Sequence, residues 1–469
     1  MSVSNIIGLI CEEIGIYTLF GAGLDVHLII AIRMIRLIGF GATSLILALY
    51  LKEIGFQEDY IGLFMTFTFI GDLISSFLLS IAADRIGRRN ILILSSALMA
   101  LTGLSFGFFD NRYILTVIAT LGILTPSGGE VGPFRSIEQS SIASLMSPKD
   151  RSDIYSWYTF LGSFCAAIGA VTGGYLIDFT HYQKNYSLIA SYKCIFLGYT
   201  VLSTISLLLC LFMTSKIEWE SKTIIVESVE NNTPQEPLLV ESSREQTEQQ
   251  PTESSQLLPK SNSPDVRSKW ENFLPVLDPS VLGLVAKLSL LFALDSFASS
   301  LVPLSWQSYY IKGKFDVSAG YLGSVFFITG IVSGFTSLLS TTLTKRFGPV
   351  VTMVVTHLPA SILLGCVPIP RSFPVTLAIL VFRASTQSMD VAPKHVFLAT
   401  LVPDSERTAV FGWVNVVKTL SQVLGPIFAG AFTQRGAQWI TFVIASALKT
   451  SYDLGMLATF LTFNRHTQH

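Results

Sequence analysis

Apolar stretches of about twenty residues recur along the chain, each closed by a short polar or charged turn. As a helix, a stretch of that length crosses the roughly 30 Å hydrocarbon core of a bilayer. About twelve can be placed: near 30–51, 60–83, 91–109, 113–146, 154–177 and 191–213, then near 281–311, 320–343, 349–369, 374–401, 410–432 and 439–462. Between the two sets, residues 216–275 are rich in Glu, Gln, Ser, Thr and Pro. They are too poor in apolar side chains to build a core, which predicts a disordered linker. Residues 1–31 are partly apolar, but Glu12, Glu13 and Asp25 interrupt them, so an interfacial tail is expected rather than a span. The pattern predicts an all-α polytopic membrane protein: an N-terminal bundle over 32–215, the linker, a C-terminal bundle over 276–463, and a short tail over 464–469.

Charge orients this arrangement. The turn Ala83-Asp84-Arg85-Ile86-Gly87-Arg88-Arg89 separates two spans and carries three arginines. Cationic loops resist translocation, so this face is expected to be cytoplasmic, together with both termini and the linker. Lys149, Arg151, Lys345, Arg346 and Arg407 then fall on the same side, with Arg33 and Arg36 flanking the first span there. The opposite loops are poorer in cations, and one holds the sequon Asn185-Tyr186-Ser187.

The two sets of spans are copies. Tyr60-Ile61-Gly62 matches Tyr321-Leu322-Gly323, and Arg85 and Gly87 match Arg346 and Gly348, every pair 261 residues apart. A second block sits at a spacing of 256: Arg151, Trp157, Gly169 and Gly174 match Arg407, Trp413, Gly425 and Gly430. Gap-free correspondence across a whole hairpin exceeds what shared hydrophobicity produces. The chain reads as two parallel six-helix units related by a pseudo-twofold axis.

With these features the sequence resembles the major facilitator superfamily over nearly its whole length. The family's loop signature between its second and third helices, Gly-x-x-x-Asp-Arg-x-Gly-Arg-Arg, appears as Ser80 to Arg89, with Ser80 in place of the first glycine. The resemblance implies that Asp84, Arg85, Gly87, Arg88 and Arg89 form a cytoplasmic gate that ties the second helix to the eleventh. In the second copy Lys345 stands where Asp84 would, so only the N-terminal half keeps the acidic member. A fifth-helix motif associated with proton antiporters, the drug-exporting branch, is partial. Cys165 and Ala170 replace its leading glycine and its proline, while Gly169, Gly173 and Gly174 remain, and a Gly-Pro pair occurs at Gly425-Pro426 in the eleventh span. Small residues at this spacing let helices approach closely whatever the transport direction.

Ionisable groups inside spans cost roughly 2.5–3.5 kcal/mol each on insertion scales, which makes each a candidate for function. The fourth span carries Glu130, Arg135 and Glu138 among Pro126, Pro133 and three glycines, so a regular helix is doubtful there. Arg135 and Glu138, three apart, are close enough to pair, either as a structural bridge or as a switch. In the tenth span Arg383, Gln387, Asp390 and Lys394 fall at i, i+4, i+7 and i+11, a polar stripe expected to face a central cavity. Lys394 alternatively snorkels to the interface. Aligning the halves on Pro148 and Pro403 sets Asp390 opposite Arg135 as a candidate interdomain pair. Asp72 and Asp295 lie mid-span, as proton carriers or as satisfied packing groups. His357 reads as a packing or interface residue, while Lys418, Lys449 and Asp453 are ambiguous, with a local i, i+4 pair as one reading of the last two. Trp306, Tyr309 and Tyr310 suit the interfacial aromatic belt, with an outer gate as the other reading.

Half of the residues are apolar and 13% are charged, against about 25% in soluble domains. The five cysteines lack ligand spacing and read as core residues. No metal, cofactor or nucleic acid is expected, and no nucleotide loop or nucleophile constellation suggests an enzyme. The resemblance implies a monomeric secondary-active transporter, with the lipid bilayer, a small solute and protons as partners. A uniporter, or a non-transporting sensor on the same fold, is the alternative. Within the linker, Glu253-Ser254-Ser255-Gln256-Leu257-Leu258 fits an acidic dileucine sorting signal, which adds vacuolar or endosomal membranes to the plasma membrane as destinations.

Overall fold

The computed structural model describes residues 15–127, 134–147, 150–218, 279–390, 393–394, 397, 401 and 407–460. Among these residues every regular element is helical. After a short turn of helix at Ile16–Gly21 come α1 (Leu24–Glu53), α2 (Glu58–Ile86), α3 (Arg88–Phe108), α4 (Arg112–Leu121), α5 (Phe134–Leu145), α6 (Arg151–Asp178) and α7 (Leu188–Leu211). The second half holds α8 (Pro279–Leu301), α9 (Leu304–Phe315), α10 (Ala319–Phe347), α11 (Pro349–Cys366), α12 (Phe373–Gln387), α13 (Arg407–Gln434) and α14 (Trp439–Phe460). Eight of the described helices are long and apolar enough to cross a membrane alone, and α8 with α9 makes a ninth span bent by 42°. The chain is a multi-pass membrane protein of two six-helix halves.

Two of the spans are broken where proline or glycine interrupts the ladder. α4 stops at Leu121, and residues 122–127 run on without helix. Backbone groups freed inside a bilayer must find partners in the protein. Here Ile123 N–H donates to Thr102 Oγ1 at 3.2 Å, and Tyr199 OH donates to Ile123 O at 2.7 Å. The carbonyl of Pro126 accepts from Ser305 N–H (3.2 Å) and Ser305 Oγ (2.8 Å). Ser305 lies just beyond the bend of the seventh span, so one break satisfies the other across the two halves.

The halves meet mainly along two crossings, α2 on α13 and α6 on α10, with α9 also packed on α1. These crossings are images of one another under the repeat. A Cβ at Gly62 would collide with the carbonyl of Pro426, and one at Gly323 with the carbonyl of Ala170. Gly62 and Gly323 are 261 residues apart, and Ala170 and Pro426 are 256 apart, the same spacings the sequence blocks show. Within the halves, Gly169 abuts the Ile38 carbonyl and Gly173 abuts Ala42 on α1, while Gly425 abuts Ser300 on α8. Gly174 faces Ala319 and Gly320 across the α6–α10 crossing. Cys165 and Cys210 are buried free thiols, as core residues are.

Candidate functional site

Between the halves lies a cavity of about 590 Å³. One wall comes from α1 and α6 through Arg33, Leu37, Gly162 and Ala166; the other comes from α8, α10, α11, α12 and α14. Arg383, Gln387, Asp390 and Lys394 all line it, as a single polar stripe on the tenth span must if it is to avoid lipid.

The second wall carries a chain of ion pairs. Lys394 Nζ lies 2.9 Å from Asp390 Oδ2 and 3.3 Å from Asp295 Oδ2. Lys449 Nζ, from α14, approaches Asp295 Oδ1 at 2.7 Å and donates to Ser299 Oγ at 2.8 Å. Asp295 of α8 is thus shared by two lysines from two other spans. One turn along α14, Asp453 takes His357 of α11 (Nδ1–Oδ1 2.8 Å) and Ser361 Oγ (2.8 Å). Lys394 therefore does not snorkel out of the fold: it sits 5.4 Å from the Phe292 ring centroid and 5.3 Å from that of Tyr452. Lys449 and Asp453 do not serve merely as a local pair, and His357 lines the cavity rather than only packing. Their signal in the sequence was two charges on one face of a span, whose partners lie about 90 to 150 residues away in the chain.

On the other side Glu138 of α5 pairs with Arg36 of α1, through Nη1–Oε1 at 2.7 Å and Nη2–Oε2 at 2.9 Å, with both side chains at most 1% exposed. Tyr158 OH adds a bond to Glu138 Oε2 at 2.7 Å. Arg36 also stacks 4.0 Å from the Phe134 ring centroid. Arg33 donates through Nε to Tyr158 O (2.9 Å) and lies 3.7 Å from that ring's centroid. The expected placement of Arg33 and Arg36 at the membrane face is corrected: α1 starts at Leu24, which carries both inside the bundle, where Arg36 takes the carboxylate that local spacing assigned to Arg135.

The other candidate residues divide. Asp390 is buried and pairs with Lys394, while Arg135 is exposed and within electrostatic range of Lys418 on α13. Asp72 is half-buried on α2, outside the cavity lining, and accepts from Ser76 Oγ at 3.3 Å. Glu130 lies outside the described residues, as does the Asp84 side chain. Arg85 is exposed.

The described contacts of Arg88 and Arg89 stay in the N-terminal half. Arg88 Nη1 donates to Ser144 Oγ (3.1 Å) and Ile217 O (3.3 Å), and Arg89 Nη2 to Leu211 O (2.5 Å). Glu218, at the root of the linker segment, accepts from the backbone N–H of Arg88 (2.6 Å) and Arg89 (3.2 Å), capping α3. A cap of this kind is worth about 1 kcal/mol. Glu218→Ala is expected to lower the melting temperature by a few degrees, read by a thermal scan of the purified protein.

At the end of the fold opposite the charged turns, the halves are sealed. Tyr309 OH donates to Glu58 Oε1 (2.9 Å), Glu58 N–H to Gln434 Oε1 (3.0 Å), and Ser318 Oγ and Gly320 N–H to Asp178 Oδ2 (2.6 and 2.9 Å). Trp306 is 1% exposed there and meets Tyr309 edge-on at 5.4 Å, so these two aromatics pack in the seal rather than in a lipid-facing belt.

A family model described as Major Facilitator Superfamily matches residues 29–266 and 288–467. An uncharacterized membrane protein of Saccharomyces cerevisiae is 31% identical over 445 residues, covering 94% of this chain and 95% of the yeast protein. Among solved structures, the xylose transporter XylE of E. coli in an inward open conformation superposes with TM-score 0.64 at 13% identity (93% and 96% of the two chains). A bacterial homologue of the iron transporter ferroportin in an inward-facing state gives 0.64 at 13% (93% and 99%). The inward-facing, unoccupied bacterial homolog of the human lysosomal transporter Spinster gives 0.58 at 13% (95% and 96%).

Proposed function

This chain belongs to the Major Facilitator Superfamily and is a transporter, not an enzyme; on that premise we propose that it moves a small solute through the central cavity by proton-coupled alternating access. The observation that carries the reading is Asp295, a buried carboxylate on one span held by lysines from two others. Protonating it would release Lys394 and Lys449 together and loosen α8 from α14 and from the Lys394 end of the tenth span, which links a proton to a rearrangement of the cavity wall. Solute binding between the halves and a seal at one end supply the remaining parts of a rocking cycle. The Arg36–Glu138 pair, bidentate and dry, suits a fixed brace better than a proton relay.

The arginine-rich turns favour a cytoplasmic position for their end of the molecule, which is the orientation proposed here. The seal is then extracellular or lumenal, and the conformation faces inward. In that orientation the linker is cytoplasmic, and the acidic dileucine pattern at 253–258 would suit sorting to vacuolar or endosomal membranes.

A uniporter is the second reading, favoured by the fact that Asp295, Asp390 and Asp453 each already have a cationic or histidine partner. The two separate in proteoliposomes. A solute that accumulates in cells lacking the protein is added outside, and internal pH is followed with a trapped dye. Coupled transport predicts solute-dependent proton movement; solute flux with no proton movement leaves the uniporter.

A further inference from the structure

Among the described residues, each charged group on the cavity's second wall answers to another, with one exception. Asp390 and Asp295 hold Lys394, Asp295 holds Lys449, and Asp453 holds His357. Arg383 lines the same cavity one turn above Gln387, and among the described residues no ion pair or hydrogen bond engages its side chain; its Nε is enclosed without a partner. Arg383 is half-buried, and a guanidinium cannot discharge itself by losing a proton at ordinary pH, so the desolvation of its enclosed part is left standing. On the facing wall Arg33 adds a second positive charge, already turned toward Tyr158. The protein thus keeps a costly cation in a polar cavity, and no anion among the described residues pairs with it.

We propose that Arg383 is the binding residue for an oxyanion of the transported solute, a carboxylate or a phosphate ester of metabolite size. The planar fork of a guanidinium matches two oxygens of such a group in a way that an ammonium or an amide does not. Gln387, one turn away, and Ser388 line the same cavity and offer neutral hydrogen bonds to the rest of the molecule. A cavity of about 590 Å³ falls within the roughly 300–1,000 Å³ usual for small-molecule sites. The two lysines are committed to carboxylates, which leaves Arg383 as the site's selector for charge. This assignment rests on the transporter reading and names the chemistry of its cargo.

The test uses the full-length protein in neutral-lipid nanodiscs, with thermal stabilisation as the readout and no knowledge of the natural solute. Probes are matched pairs: succinate with succinamide, benzoate with benzamide, glucose 6-phosphate with glucose. At least one anion is expected to raise the melting temperature saturably while its neutral mate does not. Arg383→Gln should weaken that binding by roughly 10- to 100-fold, and Arg383→Lys should retain part of it. Should Arg383→Gln not fold, phenylglyoxal modification of Arg383 in the unaltered protein gives the same answer, since a bound oxyanion slows it and the neutral mate does not.

The proposal is overturned if Arg383→Gln binds the anion as tightly as the unaltered protein, or if no anion binds. It is also overturned if only an added anionic phospholipid stabilises through Arg383, because the ligand is then a headgroup and not the solute. Saturable stabilisation by a neutral probe alone removes the oxyanion and leaves the transporter reading intact.

Discussion

Replacing Arg36 with Gln is expected to destabilise the protein by about 3–5 kcal/mol, because it strands a carboxylate in a dry interior. Arg36 and Glu138 are both essentially without solvent contact and share two short bonds. Glu138 keeps Tyr158 OH after the change, but one neutral donor does not balance a full charge at low dielectric. The pair also joins α1 to α5. Tyr158→Phe should cost less, about 1–3 kcal/mol, since it removes a single hydrogen bond to the carboxylate and leaves the ion pair whole. Arg36→Met combined with Glu138→Leu should recover most of the loss, as apolar replacements of buried pairs commonly do. Denaturation of the three variants in detergent, followed by intrinsic fluorescence, checks the order. Equal stability of Arg36→Gln and the unaltered protein would mean the pair is hydrated and not a brace.

Asp295→Asn is the second large effect, and it falls on transport rather than folding. Asn keeps the volume and one hydrogen bond to Lys449 or Lys394, so the helices should still pack. Two lysines then face a cavity with only Asp390 left between them, and the switch carboxylate is gone. Flux is expected to fall roughly 100-fold or more, the scale set by leaving a buried charge without its partner. Flux in Lys449→Met should fall similarly, and joining it to Asp295→Asn should not restore proton-linked flux. The readout is solute uptake and internal pH in proteoliposomes, with protein yield and melting temperature as the control for folding. Normal proton-linked flux in Asp295→Asn would remove Asp295 from the mechanism.

Much of this was legible because a span imposes its own rules. Twenty apolar residues in a row, a turn with three arginines and two constant repeat spacings are local facts, and the helices, the halves and their glycine crossings follow from them. The stripe from Arg383 to Lys394 was readable because four polar groups on one face of a membrane helix have few places to go. The partners were not readable. Arg36 and Glu138 are 102 residues apart, and sequence spacing offers the nearer Arg135 instead. Cationic residues near the start of the first span suggest an interface, and only the start of α1 at Leu24 shows that Arg33 and Arg36 lie a few turns in. Lys449 and Asp453 look like a local pair for the same reason. On the helix they are neighbours, yet each finds a better partner on another span. Trp306 resembles a belt residue until the bend at Pro303 turns it into the seal.

On the proposed cycle, one cavity is open toward the charged-turn side and changes sides when the opposite seal is broken. Thr329→Cys, in the cavity lining of α10, placed in an otherwise cysteine-free protein, tests it directly. In sealed vesicles of known orientation, a membrane-impermeant maleimide should label this cysteine from the side bearing the arginine turns and scarcely from the other. Adding Asp178→Asn and Glu58→Gln, which remove the bonds to Ser318, Gly320 and Tyr309, should raise labelling from the opposite side while lowering it from the first. Labelling from both sides at once, or a seal-breaking variant whose labelling does not change sides, would contradict the account.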